Sequence, residues 1–169
     1  MSRAKLVTER GQSRYNIAPM TEHDLLEVVE IEEACGLSRW GWDAYHAELR
    51  RPEAILLVTR GAVANGFSGS GINGFIVARR AADEVHINNI GVREPSRRAG
   101  IASALLRAAL AQAAHAGARV AVLEVRARNV AAQALYRQHG FRITGRRRDY
   151  YKEPTEDALI MMAVLESTA

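Results

Sequence analysis

The period of the apolar positions changes several times along this chain, and each change marks an element. Tyr15 to Ala18 predicts a short first strand. Thr21 then reads as a helix N-cap, with Asp24 where the acid of a capping box sits and Leu25, Leu26, Val28, Val29 and Ile31 as the apolar side. Trp40 to Leu49 predicts a second, shorter helix. Ala54 to Thr59 and Gly74 to Ala78 are apolar or β-branched runs on either side of a Gly/Ser/Asn-rich segment, the pattern of a hairpin with a long loop. That loop ends in Gly69-Ser70-Gly71-Ile72-Asn73-Gly74, a G-x-G-x-x-G spacing. A dinucleotide site requires a helix next, whereas Phe75-Ile76-Val77 predicts a strand, so the glycines are read as loop residues.

From Val85 to Val92 the alternation slips. Val85 and Ile87 keep one phase, Asn88-Asn89 interrupt it, and Ile90 and Val92 resume on the other. A β-bulge produces a one-residue slip of this kind, and bulges concentrate beside active sites; a strand buried on both faces is the alternative. Arg97-Arg98-Ala99-Gly100-Ile101-Ala102-Ser103 follows and runs into a helix with the stripe Ile101, Ala102, Leu105, Leu106, Ala109, Leu110 and Ala113. Strand, basic glycine-containing turn and helix together make an anion site, because unpaired N–H groups and the macrodipole at the helix start favour a phosphate. Past Gly117, Arg119 to Val125 predicts a strand in which Glu124 occupies an apolar phase. Asn129 caps a helix from Val130 to His139 that Gly140 ends, and Tyr136 lies two turns along from the cap. An ion pair of Glu124 with Arg126 or Arg128, and a half-buried structural Tyr136, are the plain alternatives to a chemical role.

Composition adds bounds. At 169 residues, 48% hydrophobic and 25% charged, the chain is expected to be one domain over 15–166 after a flexible tail, 1–14. Ala158 to Leu165, its longest apolar run, falls far short of the roughly 20 residues of a bilayer span, so no membrane partner is expected. The first fifteen residues have no apolar stretch of a secretory signal, and one cysteine, Cys35, allows no internal disulfide; a cytoplasmic location is expected. The net charge of +4 is unevenly spread. Gly91 to Tyr150 holds twelve arginines against three acids, a balance of +9, leaving −5 elsewhere. Such a basic half suits a polyanion, either nucleic acid or a phosphorylated cofactor. The acids of Thr21 to Glu33 read as a solvated helix face, with attraction of a basic peptide as the alternative.

The combination carries more than its parts. Leu123-Glu124-Val125-Arg126-Ala127-Arg128-Asn129, Ala134-Leu135-Tyr136, Gly140-Phe141 and Arg147-Arg148-Asp149-Tyr150-Tyr151 with Glu156-Asp157-Ala158 resemble the RimI branch of the GCN5-related N-acetyltransferase family. The similarity runs from about Tyr15 to Leu165. It implies an α/β fold with a mixed sheet flanked by helices and a bulged fourth strand at the acetyl-CoA site. It also implies acetylation, from acetyl-CoA and without a metal, of a protein's N-terminal amine, an N-terminal alanine of a ribosomal protein in that branch. The implied cofactor site comprises Ile90, Gly91, Val92, Arg97, Arg98, Ala99, Gly100, Ile101, Ala102, Ser103 and Asn129. Glu124 would be general base and Tyr136 general acid, with Trp40, Tyr150 and Tyr151 on the acceptor side. Arg39 stands where relatives often have proline before that tryptophan.

The chemistry is consistent with those residue types. An α-ammonium, with a pKa of about 8, must lose a proton before it attacks a thioester, and a half-buried carboxylate accepts that proton directly or through water. A phenol donates to the departing thiolate without first ionising. Cys35 is distant in sequence from these motifs, which favours direct transfer in a ternary complex over an acetyl-cysteine. Two rivals remain: a related enzyme acting on lysine, a polyamine or a small amine, and a basic RNA-binding module. The second lacks a recognised binding motif, so nucleic acid is not the expected partner.

Overall fold

The structure, a computed structural model, describes residues 15–61 and 71–166; the tail expected over 1–14 and the loop residues 62–70 lie outside it. The elements are β1 (Asn16–Pro19), a 3-10 turn (Glu22–Asp24), α1 (Leu25–Ala34), α2 (Gly41–Glu48), β2 (Ala54–Arg60), β3 (Ile72–Ala81) and β4 (Glu84–Val92). After a second 3-10 turn (Glu94–Ser96) come α3 (Ile101–His115), β5 (Val120–Arg126), α4 (Val130–Gln138), β6 (Arg142–Lys152) and β7 (Thr155–Val164). The strands form one sheet in the order β1-β2-β3-β4-β5-β7-β6. Its neighbours are antiparallel except β4 and β5, which are parallel and joined through α3.

Residues paired across a ladder share a face. Ile76, Ile87, Leu123 and Met161 lie on the face covered by α3, where Leu105, Leu106 and Ala109 are fully buried. Val58, Phe75 and Val77 lie on the other, under α1 and Tyr45 of α2. Each fully buried leucine of α3 contributes about 1.5 to 3 kcal/mol. Leu26 departs from the expected apolar side: it is 71% exposed, because the 3.6-residue period carries Leu25, Val28 and Ile31 inward and turns Leu26 out.

The slip in β4 is a bulge. Val77 pairs with Asn89 and Ala78 with Ile87, so Asn88 is the extra residue. It restores Ile90 to the face of Ile87, since Ile90 pairs with Ile76.

The capping box at Thr21 and Asp24 is present, with Thr21 N–H donating to Asp24 Oδ2 at 2.8 Å. The acids of this segment divide: Glu22, Glu30 and Glu33 are exposed, as a solvated face requires, whereas two others turn inward. Asp24 is buried and accepts from Arg60 Nη2 at 2.6 Å, while Glu32 is buried too. Both fall on the stripe of Val28 and Ile31, a spacing of four, seven and eight residues from Asp24 that the helical period alone places inside. Asp24→Ala strands the Arg60 guanidinium and removes the cap, so a loss of about 2 to 4 kcal/mol is expected in chemical unfolding. A loss below about 0.5 kcal/mol would show that solvent compensates Arg60 fully.

Candidate active site

The site begins with a gap inside the sheet. β4 and β5 pair from Glu84–Val120 to Ile87–Leu123 and no further, so Asn88–Val92 and Glu124–Arg126 diverge from the bulge onward. Arg93 donates its N–H to Asn73 across the β3 ladder. Alternation along the strand therefore turns the N–H and C=O of Ile90 and Val92 away from β3, toward the edge that β5 has left. Gly91 between them is buried because α1 packs directly on it: a Cβ there would stand 3.0 Å from Ile31 Cγ2 and 3.0 Å from the Phe75 ring.

Below the gap lies the basic turn. Arg98 and Gly100 have φ of 62° and 75°, and the left-handed Gly100 is the N-cap of α3. Arg97 donates its backbone N–H to Glu94 and Ala104 to Gly100, but the N–H groups of Arg98, Ala99, Gly100, Ile101, Ala102 and Ser103 find no acceptor among the described residues. No acid occupies the first turn of α3. A run of free donors at a helix start fits a phosphate or pyrophosphate. Arg98 is exposed there, whereas the Arg97 guanidinium lies against the end of β4, with Nε 3.2 Å from Val92 O and Nη2 3.5 Å from Cys35 Sγ. Cys35 thus sits beside the gap, its Sγ 3.5 Å from Val92 O, despite its sequence separation of 57 residues. Distance in sequence is therefore no argument against this thiol. Asn129 is exposed and spends its side-chain oxygen on capping α4, accepting from Ala132 N–H at 3.1 Å.

Glu124 projects from the diverging part of β5 with 23% of its side chain exposed. Its ionic partner is Arg147 of β6, with Nε 3.6 Å from Oε1, and neither Arg126 nor Arg128. Arg126 instead bridges to Glu156 and lies 4.2 Å over the Tyr151 ring, and Arg128 donates its backbone N–H to Glu156. Tyr136 is 6% exposed and packs its ring against Phe141. The Tyr136 hydroxyl makes no hydrogen bond to the other described residues. Burial pushes the Tyr136 phenol well above its ordinary value, and neighbouring Tyr151 adds in the same direction. Tyr151 is in turn pushed up to about 12, first by burial and then by Tyr150, with Glu124 among the charges facing it. The fold thus brings Glu124, Tyr136, Tyr151 and Arg147 to the open end of β5.

The remaining wall comes from two loops. β6 carries an irregularity between Arg147 and Tyr151, with Asp149 at φ 49°; Asp157 pins it by accepting from Asp149 N–H at 2.9 Å and from Arg146 Nε at 2.6 Å. The kink sets Tyr150 and Tyr151 edge to face at 5.1 Å. Across the sheet, Trp40 stacks on Tyr45 at 5.4 Å, and its backbone N–H is held by Glu32 Oε1 at 2.7 Å. Arg147 and Asp157 stand in the motif segments above without a role, which strand register supplies, and the signal for Glu32 is its place on an apolar stripe. Among the described residues no helix is long and apolar enough to cross a membrane, and no three His, Cys, Asp or Glu side chains cluster to hold a metal.

Known proteins share this architecture. The chain is 34% identical over 148 residues to the N-alpha-acetyltransferase RimI of Mycobacterium tuberculosis, covering 86% of this chain and 89% of that one. It superposes on the crystal structure of the ribosomal-protein-S18-alanine N-acetyltransferase from Escherichia coli with a TM-score of 0.77 at 27% identity, covering 92% of this chain and 96% of that one. Ard1 of Thermoplasma volcanium shares the fold at a TM-score of 0.80 and 24% identity, covering 90% of this chain and 99% of that one. With the Acetyltransferase (GNAT) family model matching residues 24–141, across the bulged strand, the basic turn and the tyrosine helix, the chain belongs to the GNAT acetyltransferases.

Proposed function

We propose that this enzyme transfers the acetyl group of acetyl-CoA to the free N-terminal amine of a protein, with the N-terminal alanine of a cytoplasmic ribosomal protein as its acceptor. The observation that carries the reading is the pairing, at one open end of β5, of an accessible carboxylate and a buried phenol. The relatives named as protein N-terminal and ribosomal-protein alanine acetyltransferases support the acceptor class. The free N–H run from Arg98 to Ser103 would hold the cofactor's pyrophosphate, and the edges of Ile90 and Val92 its amide-bearing arm. Glu124 takes a proton from the α-ammonium, directly or through water. The amine nitrogen then forms its bond to the thioester carbonyl carbon and loses its second proton to solvent, the carbon–sulfur bond breaks, and Tyr136 gives its proton to the departing thiolate. Amide and thiol leave, Glu124 releases its proton to solvent, and Tyr136 regains one from it.

The test uses peptides beginning in alanine and the same peptides with a blocked N-terminus. Acetyl-CoA consumption is expected with the free peptides alone; equal turnover on blocked ones would exclude the α-amine as acceptor. Initial rates over both substrates are expected to give intersecting lines, and Cys35→Ala to retain turnover within about threefold. Parallel lines that vanish with Cys35 would instead establish an acetyl-thioester on the enzyme.

A further inference from the structure

A carboxylate buried in the core has to be matched donor by donor, or it destabilises the fold. Glu32 of α1 is 1% exposed, and all its partners are polar groups of the substrate-side loop, helix α2 and the bulge. Oε1 accepts the N–H of Trp40 at 2.7 Å and the phenol of Tyr45 at 2.7 Å, and Oε2 accepts the N–H of Gly41 at 3.2 Å. Helix α2 has no side-chain cap of its own, so a carboxylate from another helix satisfies its first donors and faces the positive end of its dipole. Asn89, the residue after the bulge, donates to Tyr45 Oη at 2.9 Å and to Ser38 O at 3.3 Å. Its Nδ2 also lies 3.5 Å from Glu32 Oε1.

The turn so held contains Arg39 before Trp40, with Gly41 at φ 72° after it. Neither residue stiffens the backbone as a proline would. The ring of Trp40 is stacked on Tyr45, which rests edge-on against Phe75 at 5.8 Å, so the indole is placed from below by Tyr45 and from its backbone by Glu32. Direct packing of apolar side chains would have filled this volume at lower electrostatic cost.

We propose that Glu32 is a positioning residue for the acceptor: its carboxylate fixes the Trp40–Gly41 turn against the bulge of β4 and thereby shapes the wall that the acceptor peptide meets. This rests on the reading that Trp40 faces the acceptor. The carboxylate's three short hydrogen bonds all come from the turn and α2, while the bulge is held independently by its ladder with β3. Loss of the charge therefore weakens acceptor binding and leaves acetyl-CoA binding intact.

The experiment measures initial rates of full-length Glu32→Gln and Tyr45→Phe over acceptor peptide and acetyl-CoA, with circular dichroism to establish folding. Gln keeps the shape but turns an NH2 toward donors; Phe keeps the ring and removes one donor to Glu32. Glu32→Gln is expected to raise peptide KM by about 10-fold, with kcat within about twofold and acetyl-CoA KM unchanged. Tyr45→Phe is expected to raise peptide KM by about threefold with the same selectivity. An unchanged peptide KM in folded Glu32→Gln overturns the proposal, as does a parallel loss of kcat and acetyl-CoA affinity. If Glu32→Gln does not fold, Tyr45→Phe decides on the same criteria. The wild type is measured first on free and blocked peptides: if it acetylates another amine, the α-amine reading fails, and the variants are compared on the amine it does use.

Discussion

Tyr136→Phe is expected to lower kcat by about 10²- to 10⁴-fold while leaving acetyl-CoA affinity unchanged, the range over which a positioned general acid contributes. The substitution removes one oxygen and keeps the ring, which is what packs on Phe141. Because the hydroxyl makes no hydrogen bond to the described residues, its removal breaks no polar contact with them. Stability therefore changes little, and any loss of rate reports on chemistry. Burial holds the phenol protonated far above neutral pH, so the group is a donor throughout the range in which the amine becomes a nucleophile. Single-turnover rates with saturating acetyl-CoA give the cleanest measurement. A folded variant within about threefold of wild type would reduce Tyr136 to a packing residue.

Glu124→Gln is expected to fall in the same range of about 10²- to 10⁴-fold, with a different signature. The amide cannot accept the ammonium proton, so the deficit should shrink as pH rises through the amine's own titration, near pH 8 for a free N-terminus. Tyr136→Phe shows no such recovery through that titration, since its deficit lies in the departure of the thiolate and not in deprotonation of the amine. The variant also releases Arg147, whose Nε is 3.6 Å from Glu124 Oε1. Arg147 is more than half exposed and solvent takes over its solvation, so the fold itself should be little affected. A pH-independent deficit would assign Glu124 to holding Arg147 in place, and a rate near wild type would remove it from the chemistry altogether.

Most elements up to α4 were legible because capping residues, glycines and changes of period bracket them. The phase slip at Asn88 announced the bulge itself. β6 was not legible: it is the edge strand, exposed along nearly its whole length, and Arg142 to Lys152 has no apolar face to alternate. β7 was visible as an apolar run alone, because from Glu156 to Ala163 both phases are buried or half-buried and leave no alternation to read. The candidate site was legible where one segment supplies it, as with Arg97 to Ser103 or Glu124. It was not legible where register decides. Arg147 meets Glu124 since β7 lies between β5 and β6 and matches Glu124 to Ile160 and Arg147 to Ala158. No local pattern encodes that coincidence, or the approach of Cys35 to Val92 across 57 residues.

The parting of β4 from β5 also bears on how the molecule avoids its own copies. Unpaired strand edges are templates for polymerisation, and proteins ordinarily shield the outer strands of a sheet for that reason. Here the outermost strands are a four-residue β1 and an arginine-rich, kinked β6, both poor templates. The pair of open edges that does want a partner lies between the fourth and fifth strands, inside the sheet, with β1 to β3 on one side and β7 and β6 on the other. A slot so placed admits a single extended chain end-on and denies access to another folded sheet, so the same backbone groups can stay hungry for a ligand without making the protein sticky.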